Sequence, residues 1–151
     1  MVHLSEYVAL GLDNVRKSSD HARRSKACGR RYLRWHQKTA CPALAMNTKA
    51  RCAARFHSRD MGVKNFFSHT GPNGQNFSQR MDNAGYSPSS RAENIATGQT
   101  TPAGVVASWI SSTGHCNNIM NGTYKNLGVG YYPSPNATDK HQWTQKFGNG
   151  F

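Results

Sequence analysis

At 151 residues the chain has the length of one domain, and about two-thirds of the unfolded surface can be buried at that size, enough for a true core. Apolar residues at 36% and aromatics at 10% exclude disorder as a description of the whole chain. The formal charge of +12, from 19 basic against 7 acidic side chains, predicts attraction to anionic surfaces, and no apolar run approaches the ~20 residues that cross a bilayer.

Residues 1–40 hold nine Lys/Arg against three acids, densest in HARRSKACGRRYLRWHQK (21–38). No helix-turn-helix, zinc-finger or aromatic-interleaved basic motif accompanies that run, so it reads as a solvated basic face, and no specific nucleic-acid partner is expected. Tyr7, Leu10, Leu12 and Val15 suit one amphipathic helix. The opening MVHLSEYVALGLDNV lacks a basic n-region and an uninterrupted apolar region, so no signal peptide is expected in this chain.

From about Ala43 the local signals agree. Asn47 is placed to cap a helix through TKARCAARFHSRDM, with Ala50, Ala53, Ala54, His57 and Met61 as its apolar stripe and Gly62 as a left-handed stop. FSHTGPNGQN (67–76) reads as a loop, and FSQRMDNAGY as a short helix closed by Gly85. TTPAGVVASWISS has Thr101 as cap, Pro102 at the first helical position and Val105, Val106, Trp109 and Ile110 as the buried stripe. NLGVGYY (126–132) and HQWTQKFG (141–148), joined by turn-rich PSPNATDK, predict an antiparallel hairpin. Helices followed by a hairpin, without alternating strand–helix units, indicate an α+β fold.

Acids are scarce, and the two glutamates are Glu6 and Glu93. Glu93, in the polar segment RAENIATGQ, suits either a hydrogen-bonded structural carboxylate or, with histidines nearby, a general base or metal ligand. His69 (FFSHTG) and His115 (STGHC) both follow small-residue turns, which places their imidazoles at loop ends. Two histidines and a carboxylate would make a zinc site with open positions, although their spacing does not require one. His57 lies on the apolar stripe and reads as packed. Cys116 makes a poor nucleophile, because the adjacent His115 points elsewhere and cannot serve as its base. Ser68 and Ser112 sit near histidines without a GxSxG elbow, so a serine hydrolase is not supported. Cys28, Cys41, Cys52 and Cys116 are widely spaced and even in number, which fits disulfides in an oxidising compartment.

FFSHTG, RMDNAGY, AENIATGQTTP, the Trp109 helix, GHCNNIMN, LGVGYY and WTQKFG stand in the order and approximate spacing of the CAP superfamily. This SCP domain is shared by cysteine-rich secretory, antigen 5 and pathogenesis-related-1 proteins, and the chain resembles their compact microbial branch over about residues 4–148. The resemblance implies one domain over 1–151, with a basic N-terminal helix and connection (1–41) and a motif-bearing core (42–148). It implies a three-layer α-β-α sandwich with a central antiparallel sheet. His69, Glu93 and His115 match the family's cleft residues. Ser112 stands where animal and plant members carry a second glutamate, which leaves the two-His, two-Glu tetrad incomplete. Met46 replaces a family aromatic and is expected in the core. Relatives with GHC commonly carry a CG like Cys28-Gly29, which implies a Cys28–Cys116 disulfide of roughly 4 kcal/mol in the chain-entropy model. Whether Cys41 and Cys52 pair stays open.

The function so implied is that of a secreted, monomeric, non-enzymatic protein that is not transmembrane and requires no cofactor. It would bind a small lipid or sterol, or an extracellular partner. The alternative is a metal-assisted peptidase or esterase in which His69 and His115 hold zinc and Glu93 activates water.

Overall fold

A computed structural model describes residues 44–150. Its described residues fall into two compact units, one formed by 99–121 and the other by 44–98 with 122–150. The expected N-terminal helix, Cys28 and Cys41 lie outside the described residues.

The larger unit holds a mixed sheet under one long helix. Strand β1 is Ala45–Met46 and helix α1 is Thr48–Val63. Helix α2 is Phe77–Asn83, and the strands β2, β3 and β4 are Arg91–Thr97, Asn126–Pro133 and His141–Gly148. The strand order is β1-β3-β4-β2. The expected hairpin is β3–β4, antiparallel from Asn126↔Gly148 to Pro133↔His141. The sheet is not wholly antiparallel, because β1 runs parallel to β3 through Ala45↔Asn126 and Met46↔Leu127. Met46 is 49% exposed, so it does not fill the core position expected of it.

The α1 start is as the sequence indicates: the Asn47 side chain accepts from the Ala50 amide. Its end differs. Gly62 is helical rather than left-handed, and the positive-φ residue is Asn65 (φ 50°). Glycine is required at 62 for space, since a Cβ there would lie 2.7 Å from Tyr132 Cδ1 and 2.8 Å from Ser134 Cβ. The same reasoning explains the glycines of LGVGYY. A Cβ on Gly128 or Gly130 would come within 2.2–2.3 Å of the α1 backbone at Ala50 and Ala54, so α1 lies directly on β3. Ala50, Ala53, Ala54, His57, Ser58 and Met61 form the buried side of α1, and the Ser58 hydroxyl donates to Thr144 on β4 at 2.8 Å.

α2 begins with a capping box between Asn76 and Gln79 and is followed by Gly85 in the left-handed region (φ 77°). RAENIATGQ, whose lack of helical patterning left it without an element, supplies β2 from its first seven residues. Its interior residues Ala92 to Ala96 are all buried, so no alternation of polar and apolar residues marks it as a strand.

The smaller unit contains helices α3 (Pro102–Ser111) and α4 (Thr113–Ile119). Thr101 caps α3 through the Gly104 amide; Val105, Trp109 and Ile110 are buried as expected, whereas Val106 is only half-buried. STGHC is not a loop. Ser112 is both the C-cap of α3 and the N-cap of α4, which puts His115 in the first turn of a helix. Two helices meeting at one small polar residue leave a sequence signature that also suits a turn.

Candidate functional site

Glu93 is the centre of a buried charge cluster. The β2–β4 register sets Glu93 directly opposite Lys146, and that cross-strand pair turns both side chains to the α1 side of the sheet. The Glu93 and Lys146 side chains are fully buried and in direct ion-pair contact. Arg80 of α2 reaches the same carboxylate, one guanidinium nitrogen lying 3.1 Å from each oxygen. That nitrogen also donates to the His69 carbonyl at 2.7 Å, and the other terminal nitrogen to the Gln75 carbonyl at 2.8 Å. Arg80 therefore ties both ends of the 69–75 loop to Glu93. Lys146 makes a second tie, donating to the Phe77 carbonyl at 3.4 Å.

Two histidines flank the carboxylate. His69 Nδ1 lies 2.7 Å from Glu93 Oε1, and the ring is about half exposed (52%). His57, 1% exposed, approaches the same oxygen at 4.0 Å and donates from Nε2 to the Ser68 carbonyl at 3.0 Å. The carbonyl can only accept, so His57 carries its proton on Nε2. His57 thus braces the loop one residue before His69.

The electrostatics follow from burial and pairing. Burial alone would raise the Glu93 carboxyl, but the His69 hydrogen bond and the charges of Lys146, His57 and Arg80 outweigh it and hold the group at about 2. Burial pushes Lys146 down to about 8 with help from Arg80, although Glu93 opposes it. Burial lowers His57 to about 4, against the pull of Glu93, so this ring is neutral at pH 7. An ionised Glu93 can only accept, which makes His69 Nδ1 the donor.

That geometry orients an imidazole and leaves Glu93 little capacity for anything else. Both carboxylate oxygens already accept from buried cations, so Glu93 does not fit as a third zinc ligand, and a carboxylate held near 2 is a weak base. Among the described residues no group of three or more His, Cys, Asp and Glu is placed to hold a metal ion.

Of the residues the sequence singles out, His69 and Glu93 are brought together. His115 and Ser112 belong to the smaller unit, where His115 is half-buried in α4. Cys116 is fully buried against Ile110, and Cys52 is an exposed free thiol, so Cys52 forms no bridge to Cys41. The residues that sequence reasoning misses are Arg80 and Lys146, while His57 is packed as expected. A lysine inside the otherwise apolar and polar-neutral strand HQWTQKFG is a signal for Lys146, but its partner is hidden until the β2 register is known.

The model of the cysteine-rich secretory protein family named CAP matches residues 14–147. The chain belongs to the CAP family. YkwD of Bacillus subtilis (strain 168) is 38% identical over 111 residues, 74% of this chain and 41% of that protein. YlbC of the same organism, described as a membrane protein, is 30% identical over 115 residues, covering 76% and 28%. This CAP chain thus spans about two-fifths or less of the length of these curated relatives. An extracellular SCP-domain protein of Bacillus anthracis superposes with TM-score 0.66 at 29% identity, covering 76% of this chain and 36% of that one. An outer surface protein of Borrelia burgdorferi gives 0.67 at 16% identity, covering 99% and 97%, a likeness of fold alone.

Proposed function

We propose that this CAP domain acts outside the cell as a non-enzymatic binding module. It would take a small apolar molecule such as a sterol or other lipid, or an extracellular protein, at the surface that presents His69. The observation that carries this reading is the saturation of Glu93: its charge and both oxygens serve to brace His69 and the 69–75 loop. A buried, satisfied network of this kind gives a surface a fixed shape. The extracellular location rests on the family and on the Bacillus anthracis relative. No helix among the described residues is long and apolar enough to cross a membrane. The Cys28–Cys116 disulfide is part of the proposal, supported by a fully buried Cys116 that is not among the free thiols of the described residues.

Calorimetric titration of the purified chain with a sterol and phospholipid panel tests the ligand assignment. The expected result is saturable binding that weakens in His69→Ala. No saturable binding across the panel removes the ligand part. Stoichiometric copurifying zinc, together with peptide or ester hydrolysis that disappears in His69→Ala, would replace binding with the metal-assisted alternative. Mass spectrometry of the unreduced, alkylated protein reads the disulfide directly.

A further inference from the structure

The outer side of α1 carries a feature that the Glu93 cluster does not use. Arg51, Arg55 and Arg59 recur every four residues on one exposed stripe of the helix. At 1.5 Å per residue they span about 12 Å. Among the described residues none of the three has an acidic side chain within 4.0 Å, whereas Lys64, the C-cap of α1, pairs with Asp60 and Arg91 with Asp82. Like charges four apart weaken a helix, so this row has no local stabilising role.

The stripe borders a groove of about 450 Å³ between α1 and β3. Aromatic surface lines it as well. Phe56, between the arginines, is 58% exposed, and half-buried Tyr132 is fixed against Gly62. Cys52 and Thr48 complete the helical wall. The lining contains no carboxylate or amide side chain, so it offers cations, aromatic faces and the hydroxyls of Thr48, Tyr131 and Tyr132.

We propose that this groove binds a linear acidic polysaccharide. The arginines would pair with successive anionic groups, and Phe56 and Tyr132 would pack against the C–H faces of the sugar rings. A row of cations fits a chain with repeated charges better than a single ion. Sugar rings present broad C–H faces to Phe56 and Tyr132, which an extended peptide backbone does not. A bilayer is planar and would not enter a concave site, where the aromatic rings lie.

Polygalacturonate serves as the acidic probe, dextran as its neutral counterpart, and polyglutamate and phosphatidylglycerol vesicles as the competing classes. The full chain is expected to bind polygalacturonate with salt-sensitive affinity, to ignore dextran, and to lose maleimide labelling at Cys52 when bound, with Cys52→Ser as the labelling control. The Arg55→Glu/Arg59→Glu double variant should weaken binding by about tenfold or more, because charge contacts dominate polyanion affinity. The charge-matched Lys125→Glu/Lys140→Glu variant, at exposed positions that do not line the groove, should change it little, and Phe56→Ala should weaken it severalfold. Circular dichroism verifies that each variant is folded. Equal losses from the two charge-reversal variants would overturn the proposal in favour of diffuse attraction to a +12 chain. Polyglutamate binding as tightly as the glycan with Phe56→Ala silent would assign the groove to an acidic peptide, and preferential vesicle binding would assign it to a membrane.

Discussion

The two sides of α1 handle charge in opposite ways. On the inner side, His57 is stripped of its charge and the neighbouring Arg80 and Lys146 converge on one carboxylate. On the outer side, Arg51, Arg55 and Arg59 stand without acidic partners among the described residues. Burial makes an unpaired charge cost several kcal/mol, while water screens an exposed one almost completely. Paired charge inside therefore reports on folding. Unpaired charge outside is tolerated cheaply and stays available for a ligand.

The comparison breaks most visibly at its centre. Glu93→Ala leaves Arg80 and Lys146 buried without their counter-ion and should destabilise the protein by about 3–5 kcal/mol in urea titration. An effect under about 1 kcal/mol would mean that the cations relax to water and that the inner side is not special.

The next effect is one of pH. His57 is held at about 4 against an ordinary value of 6.5, so the unfolded chain takes up a proton that the folded chain refuses as pH falls from 6.5 to 4. Stability should be fully present above pH 6.5 and decline across that window, by roughly 3 kcal/mol from this group. Glu93, held at about 2 against 4.5, contributes stability that is present above 4.5 and lost between 4.5 and 2. Denaturant midpoints measured from pH 7 to 4 should fall in the native chain and flatten in His57→Gln, once the variant's own offset at pH 7 is subtracted.

A smaller loss is expected where the helix meets the sheet. Gly130→Ala puts a methyl group 2.3 Å from the Ala54 backbone and should cost about 1–3 kcal/mol as α1 is pushed away, read as a lower urea midpoint. The smallest effect belongs to the outer side. Arg55→Ala should alter stability by no more than about 0.5 kcal/mol, since it removes an exposed, unpaired charge. A larger loss there would show that the stripe is structural and would sharpen the case against a ligand role.

Much of this was legible before any coordinates. Caps and breakers act over a few residues, so Asn47, Thr101 with Pro102, and Gly85 marked helix boundaries from local chemistry alone. Gly62 misled because glycine serves two needs, a left-handed backbone and the absence of a Cβ, and only its neighbours Tyr132 and Ser134 reveal which one applies. Met46 misled because a family position was read as a burial, which β1 at the sheet edge does not enforce. Among candidate site residues, His69 and Glu93 were visible through motif resemblance, whereas Arg80 and Lys146 were not.

By itself the sequence determined the α+β class, the N-caps Asn47 and Thr101, the hairpin and the family, and it singled out His69 and Glu93. Tertiary structure alone decided what Glu93 does there. Strand register set it against Lys146, 53 positions away in the chain, and α2 packing brought in Arg80. Capping and periodicity are short-range interactions that a sequence displays directly. Charge pairing in a core depends on which distant strands lie side by side and on how little water remains between them.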